Sequence, residues 1–387
     1  MYFFEFKMPG KIVCVDGGAS KLGKTVTRLG GTRVLVVTDP GVRKAGLVDT
    51  VASGIESADV KVAGVFGEVG PDPGVKTIVE CAAMAQDIAA DCVVSIGGGS
   101  SIDTAKATLI QLCEGGDLLD HEWNESFASS PMLPHIAIPT TAGTGSESTH
   151  VAMVTDDARQ RKLMYQGGDL LPKVAILDPR MTLSLPPKLT AATGMDAMTH
   201  AIESMHSVWH QPMTDGLAMQ GIGLVNTFLP RVFADGQDGF GRMNMLMAAT
   251  IGGISVSNSF ICIVHAAAHP IGAMFHVPHG IAVGVMLPYA MEMNLKYEGV
   301  PAIYKKVACS LDLKVESDDD MTAARKAIEH IRGLIASLEL PSRLSDLGIK
   351  QSDFEPLADE IMEDKAIMVT PGNPGRDDIM GLIHATL

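Results

Sequence analysis

Short β-branched runs alternate with amphipathic stretches through the first half of the chain, and the alternation stops near Pro186. Val34–Thr38, Lys61–Phe66, Cys92–Ile96, Ile136–Pro139 and Val174–Leu177 read as buried strands bounded by turns. Gly74–Ala90 and Ser101–Leu112 read as helices between them. That order predicts a parallel sheet with helices on both faces. Beyond Pro186 the periodicity is helical, over Lys188–Trp209, Pro212–Phe233, Gly241–Ser255, Ala282–Asn294 and Met321–Leu338. In the last of these, Met321, Ala324, Ile328, Ile331, Ile335 and Leu338 form one apolar stripe, with Asp318–Asp320 at the end where the helix dipole favours negative charge. The boundary falls at Leu183–Pro187, dividing an α/β domain, residues 1–184, from an all-helical domain, residues 185–387.

Two loops in the first half suit a phosphate-bearing ligand. Gly97, Gly98, Gly99, Ser100 and Ser101 follow one strand and open a helix running through Asp103 and Lys106. Glycines there let the backbone approach a ligand, and the free N–H groups of a helix start attract phosphate. Pro139–Glu147 follows the next strand and carries the hydroxyls of Thr140, Thr141, Thr144 and Ser146. Either loop alone fits an ordinary capped turn, but two at adjacent strand ends indicate a nucleotide crevice. Asp39, just past Val34–Thr38, is placed either to accept from ribose hydroxyls and repel a 2′-phosphate, or to serve as a turn residue before Pro40.

The helical half holds a denser signal. Asp196 and His200 are four apart, on one helical face; His265 and His269 repeat the spacing, and His279 begins another helical stretch. A carboxylate with several imidazoles suits a divalent transition metal, and is a harder donor set than a thiolate zinc site. A helix carrying His265 and His269 is expected to end or bend at Pro270. His121, His135, His206, His210, His330 and His384 have no partner at ligand spacing and read as surface or structural; His150 and His276 stay open.

Composition narrows the function classes. With 46% apolar and 19% charged residues the chain is an ordinary globular one, and a net charge of −15 with no long basic run argues against nucleic acid as a partner. The six cysteines form no CxxC pair and read as buried thiols in a reducing compartment. The N-terminal residues lack the features of a signal peptide, and no stretch of about 18 apolar residues suggests a membrane partner. A soluble, cytoplasmic protein is expected.

Val37–Asp39, Gly97–Lys106, Pro139–Glu147, Ala191–Glu203 and His265–Asn294, taken in this order and spacing, resemble the iron-containing (group III) alcohol dehydrogenase family over essentially the whole chain. The resemblance implies a Rossmann-like dinucleotide-binding domain followed by an all-α metal-binding domain, the arrangement shared with dehydroquinate synthase. It assigns the metal ligands to Asp196, His200, His265 and His279, and sets His269 beside the substrate. It implies cofactor contacts at Asp39, Gly97, Gly98, Gly99, Ser100 and Asp103, and at Thr140, Thr141, Thr144, Thr149 and Lys162. Ser101 departs from the family's frequent proline, and Val256 stands where some relatives have phenylalanine, which implies a roomier pocket.

The implied activity is hydride transfer between NAD(H) and a small alcohol or aldehyde, with Fe²⁺, or Zn²⁺, as the metal and a homodimer or larger homo-oligomer as the assembly. His269 is then either the relay for the hydroxyl proton or the support of a ligand. Other readings are a zinc polyol oxidoreductase like glycerol dehydrogenase, a hydroxyacid–oxoacid transhydrogenase, and a catalytically silent structural subunit.

Overall fold

The computed structural model describes residues 4–8, 10–122, 124, 127, 131–156, 159 and 161–387. They form two compact units. One is Lys7–Leu185; the other is Pro186–Leu387, with which Phe4–Phe6 groups.

The first unit is a Rossmann-like α/β layer structure. Its strands are β1 (Ile12–Cys14), β2 (Arg33–Thr38), β3 (Lys61–Phe66), β4 (Cys92–Gly97), β5 (His135–Pro139), β6 (Val151–Asp156), β7 (Arg161–Gln166) and β8 (Val174–Leu177). Six of them make a sheet in the order β1-β8-β5-β4-β2-β3, parallel throughout. The strands read as continuous apolar runs because both faces are covered. Val34 and Val36 of β2 pack into the core on one face with Val51, Ile55 and Ile136. Leu35 and Val37 point to the other, against Cys81, Ala85, Ala105 and Leu109.

Two features were not legible in the pattern. Strand β1 is only three residues long, too short to show a period. The antiparallel hairpin β6–β7 lies outside the main sheet, and β6 alternates half-buried and buried positions.

The second unit is helical. Its central helix, Pro187–His206, is buried continuously from Gly194 to His206, so its amphipathic signal is weak while its core position is plain. Pro212–Ala234, Gly239–Ser259 and His279–Asn294 pack around it.

Three expectations need correction. The helix Ile263–Phe275 does not end at Pro270 but runs five residues further. A proline removes one backbone donor, and here burial of Pro270 and Ile271 outweighs that loss. Met321 is 38% exposed, because the helix Asp320–Ser337 begins just before it and its first turn stands clear of the core. Cys14 and Cys309 are exposed, one at the sheet edge and one on the outer face of Val300–Ser310, whereas the other four cysteines are buried; all six are free thiols. Among the described residues no single helix is long and apolar enough to cross a membrane.

Candidate functional site

In the helical unit, Pro187–His206 brings Asp196, His200 and Glu203 to one face, at positions i, i+4 and i+7. Ile263–Phe275 contributes His265 and His269, one turn apart. His279 is the first residue of His279–Asn294. Its approach depends on Gly280: a Cβ there would lie 2.3 Å from the carbonyl oxygen of Ala192, so only glycine lets this helix start press against Pro187–His206.

Around Asp196 Oδ1 stand three imidazole nitrogens: His265 Nε2 at 3.5 Å, His279 Nε2 at 3.5 Å and His200 Nε2 at 3.8 Å. The ligand atoms of Asp196, His265 and His279 all lie within 4.8 Å of one another. The His200 ring stacks on His265 at 4.6 Å between centroids. His269 stays outside that triad. Its ring centroid is 6.1 Å from His265 and 5.8 Å from His279, and its Nδ1 bonds Asp364 Oδ2 at 2.7 Å.

In the α/β unit the two loops meet. A Cβ on Gly99 would lie 2.8 Å from Thr144 Cγ2, so the glycine turn and the threonine loop are in contact. Gly98 is the N-cap of Gly99–Glu114 and leaves the helix's first N–H groups, Ser100 among them, without a side-chain cap. Asp39 serves as the turn residue that its position before Pro40 allows. Its Oδ1 accepts from Val42 N (3.0 Å), capping the next helix, and its Oδ2 accepts from Ser101 Oγ (3.3 Å). Thr140 N donates to Gly97 O (2.9 Å), and Thr144 Oγ1 accepts from Ser146 N at 3.2 Å; Thr141 stands against Gly98.

Three other expected cofactor residues lie deeper or elsewhere. Asp103 is buried and accepts from Met153 N of β6. Thr149 is tied to the buried Lys106, whose Nζ bonds Thr149 O and Oγ1 at 2.9 Å and Val151 O at 2.7 Å. Lys162, on β7, pairs with Asp72 and Thr155.

Residues 9–179 match the family described as iron-containing alcohol dehydrogenase, and residues 190–387 match the Fe-containing alcohol dehydrogenase family, C-terminal. The chain belongs to the iron-containing alcohol dehydrogenase family. It is 34% identical over 385 residues to the NAD-dependent methanol dehydrogenase of Bacillus methanolicus, covering 99% of this chain and 100% of that one. Alcohol dehydrogenase 4 of Schizosaccharomyces pombe is 34% identical over 386 residues, 100% of this chain and 88% of that one. The crystal structure of a 1,3-propanediol oxidoreductase superposes with a TM-score of 0.96 at 32% identity, with 100% of each chain covered. The protein is therefore a metal-dependent alcohol dehydrogenase that works with NAD(H).

The donor set fits the metal that this family membership implies. Asp196 Oδ1 and His265 Nε2 are buried and find no hydrogen-bond partner among the described residues, an arrangement costly for a purely structural cluster. The electrostatics also call for positive charge. Burial works against ionised Asp196, yet His200, His265 and His279 together hold its carboxyl well below the usual range. Burial works against protonated His265, yet the Glu203 and Asp196 carboxylates lift it to about 9. Glu203, Asp364 and Lys106 were not singled out in the sequence. Glu203 had one signal, its i+7 position from Asp196; Asp364 is 95 residues from His269, and nothing local announces the pair.

Most of the remaining histidines have structural partners. His135 bonds Ser95 (2.8 Å), His206 bonds Tyr304 (3.0 Å), His330 bonds Asn226 (2.7 Å) and His121 faces Gly115 O at 3.0 Å. His210 pairs with Asp215 and His384 packs on Phe354. His276 is the left-handed residue that closes Ile263–Phe275, and His150 is half-buried near Lys106. Val256 is buried in Gly239–Ser259.

Proposed function

We propose that this protein interconverts a small alcohol and its aldehyde, with Asp196, His200, His265 and His279 holding Fe²⁺, residues 1–184 binding NAD(H) and residues 185–387 carrying the metal and the substrate oxygen. The observation that carries this reading is the convergence of three imidazole nitrogens, each within 3.8 Å of one unpartnered carboxylate oxygen. Bound there, the metal supplies a Lewis acid for the substrate oxygen, and the nicotinamide is the hydride donor or acceptor. Zn²⁺ suits the same nitrogen and oxygen donors.

The chain's own residues do the rest. N–H groups at Gly97, Gly98, Gly99 and Ser100 receive the pyrophosphate at the helix start. Thr140, Thr141 and Thr144 line the adjoining loop, while Asp103, Thr149 and Lys162 hold its surroundings. Asp39 accepts from ribose hydroxyls and disfavours a 2′-phosphate, so NADH is preferred over NADPH. His269 moves the hydroxyl proton: its Nδ1 is held by Asp364, which leaves Nε2 for exchange. Its pairing with Asp364, where His200, His265 and His279 all face Asp196, favours the relay over a ligand role.

The names of the methanol and propanediol relatives support a short primary alcohol as substrate. Val256 in place of a larger side chain supports a roomier pocket. The six free thiols support a cytoplasmic location. Exposed Val208, Trp209 and Met368 support a homodimer or larger assembly, which light scattering would measure. The function is tested by NADH oxidation across short aldehydes and hydroxyaldehydes, with Fe²⁺ and Zn²⁺ supplied separately. Turnover with at least one of them, absent without added metal and weaker with NADPH, is expected; no turnover with any would overturn the reading.

A further inference from the structure

Glu203 takes no part in the roles above, yet it is a fully buried carboxylate beside them. It lies on Pro187–His206 one turn beyond His200, and all its bonds go to a single neighbouring segment. Oε1 accepts from Val264 N at 2.7 Å; Oε2 accepts from Cys262 N at 2.9 Å and from His265 Nδ1 at 2.6 Å. Cys262 is the N-cap of Ile263–Phe275, and its own side chain makes no cap bond. Two of the three bonds therefore satisfy donors that a helix start leaves open, at the end where the dipole favours an anion.

The third bond does something a cap alone would not. A neutral imidazole carries its proton on one nitrogen and a lone pair on the other. With Nδ1–H given to Glu203, the neutral form of His265, the one that can ligate a metal, keeps its lone pair on Nε2, the atom 3.5 Å from Asp196 Oδ1 that has no partner among the described residues. We propose that Glu203 is a positioning residue for the metal centre: it fixes the tautomer and orientation of His265 while tying the helix that carries it to the helix that carries Asp196. This rests on the reading of Asp196, His200, His265 and His279 as ligands. A carboxylate suits the task because it can only accept. Glutamine has the same shape, but its NH₂ must face one or more of the three donors, and His265 loses a charged acceptor in either orientation.

The test measures Zn²⁺ affinity of the full chain by chelator competition, for wild type, Glu203→Gln and His265→Ala, with the Tm of each metal-free protein alongside. Glu203→Gln is expected to weaken Zn²⁺ by about 10–100-fold. Unchanged Zn²⁺ affinity with only a lower Tm makes Glu203 a helix cap and overturns the proposal. A second readout needs no folded Glu203 variant: ¹⁵N-histidine spectra of Zn²⁺-loaded wild type, with the His265 signal identified by its loss in His265→Ala. The proton is expected on Nδ1, and a proton on Nε2 overturns the proposal. If wild type fails to bind Zn²⁺, or His265→Ala binds as tightly as wild type, the ligand reading itself fails; if only Glu203→Gln matches wild type, the ligand reading stands and this inference falls.

Discussion

In the α/β unit the candidate cofactor loops are made of backbone, space and short hydroxyl side chains bonded to neighbouring side chains: Ser101 to Asp39, Ser146 to Thr144, Thr149 to Lys106. In the helical unit the metal cluster is made of side chains whose key atoms, Asp196 Oδ1 and His265 Nε2, are buried with no hydrogen-bond partner among the described residues. The first region is a ready-made shape whose loop side chains largely bond neighbours. The second is a set of lone pairs assembled at an energetic cost, which the support of Glu203 on the outer nitrogen of His265 makes tolerable. A substitution in the first should therefore act through fit, and one in the second through loss of a specific atom.

The widest separation between the two regions should come from Asp196→Ala. Metal content is expected to collapse, and turnover to fall at least about 10³-fold, since the lost Lewis acid is worth several kcal/mol to the transition state. NADH binding and the far-ultraviolet circular dichroism should be nearly unchanged. Full activity or stoichiometric metal by elemental analysis would break the comparison at its stronger end.

His269→Ala comes next and divides the helical site itself. Metal should stay near stoichiometric and NADH should still bind, while kcat drops about 10²–10⁴-fold and its pH profile changes. Loss of metal would make His269 a ligand or a ligand's support. An unchanged profile would send the proton by another route.

Gly97→Ala probes the region that works by fit. Its Cβ would stand 2.3 Å from Ser101 Oγ and 2.5 Å from Ser101 Cβ, so the turn must shift, at a cost of about 1–3 kcal/mol. The KM for NADH is expected to rise about tenfold or more, as one lost phosphate contact of 1.4 kcal/mol implies, with metal content untouched. Altered metal content would show that the two regions are not independent.

The smallest effect on turnover comes with pH. His135 is buried against Ser95, and burial, aided by the charge of Lys106, pushes its imidazole down to about 3. Between that value and the ordinary one near 6.5 the unfolded chain binds a proton that the folded chain refuses. Its contribution is thus fully present above about 6.5 and is lost as pH falls toward 3, by about 3–5 kcal/mol in all. His135→Gln should flatten the decline of Tm between pH 6 and pH 4, without changing kcat. An equally steep decline would mean that the acid sensitivity of this unit lies in other groups.

Much of the architecture could be read from order and period. Five of the six sheet strands follow from β-branched runs, four of them inside the sheet and β3 half-buried at its edge; the change at Pro186 follows from loss of that alternation, and the metal residues from i, i+4 spacing. These are local properties, because a period of 2.0 or 3.6 residues repeats within a few turns of chain. Tertiary structure alone decided what depends on separated segments meeting. It paired His269 with Asp364, bound Glu203 to the start of Ile263–Phe275, and let Gly280 seat His279 beside Asp196. It also carried Ile263–Phe275 through Pro270, because burial around one proline outweighs a single missing donor. Side-chain chemistry and helical phase are written along the chain; the distance between two helices, and so the partner that each buried polar atom finds, exists only once they pack.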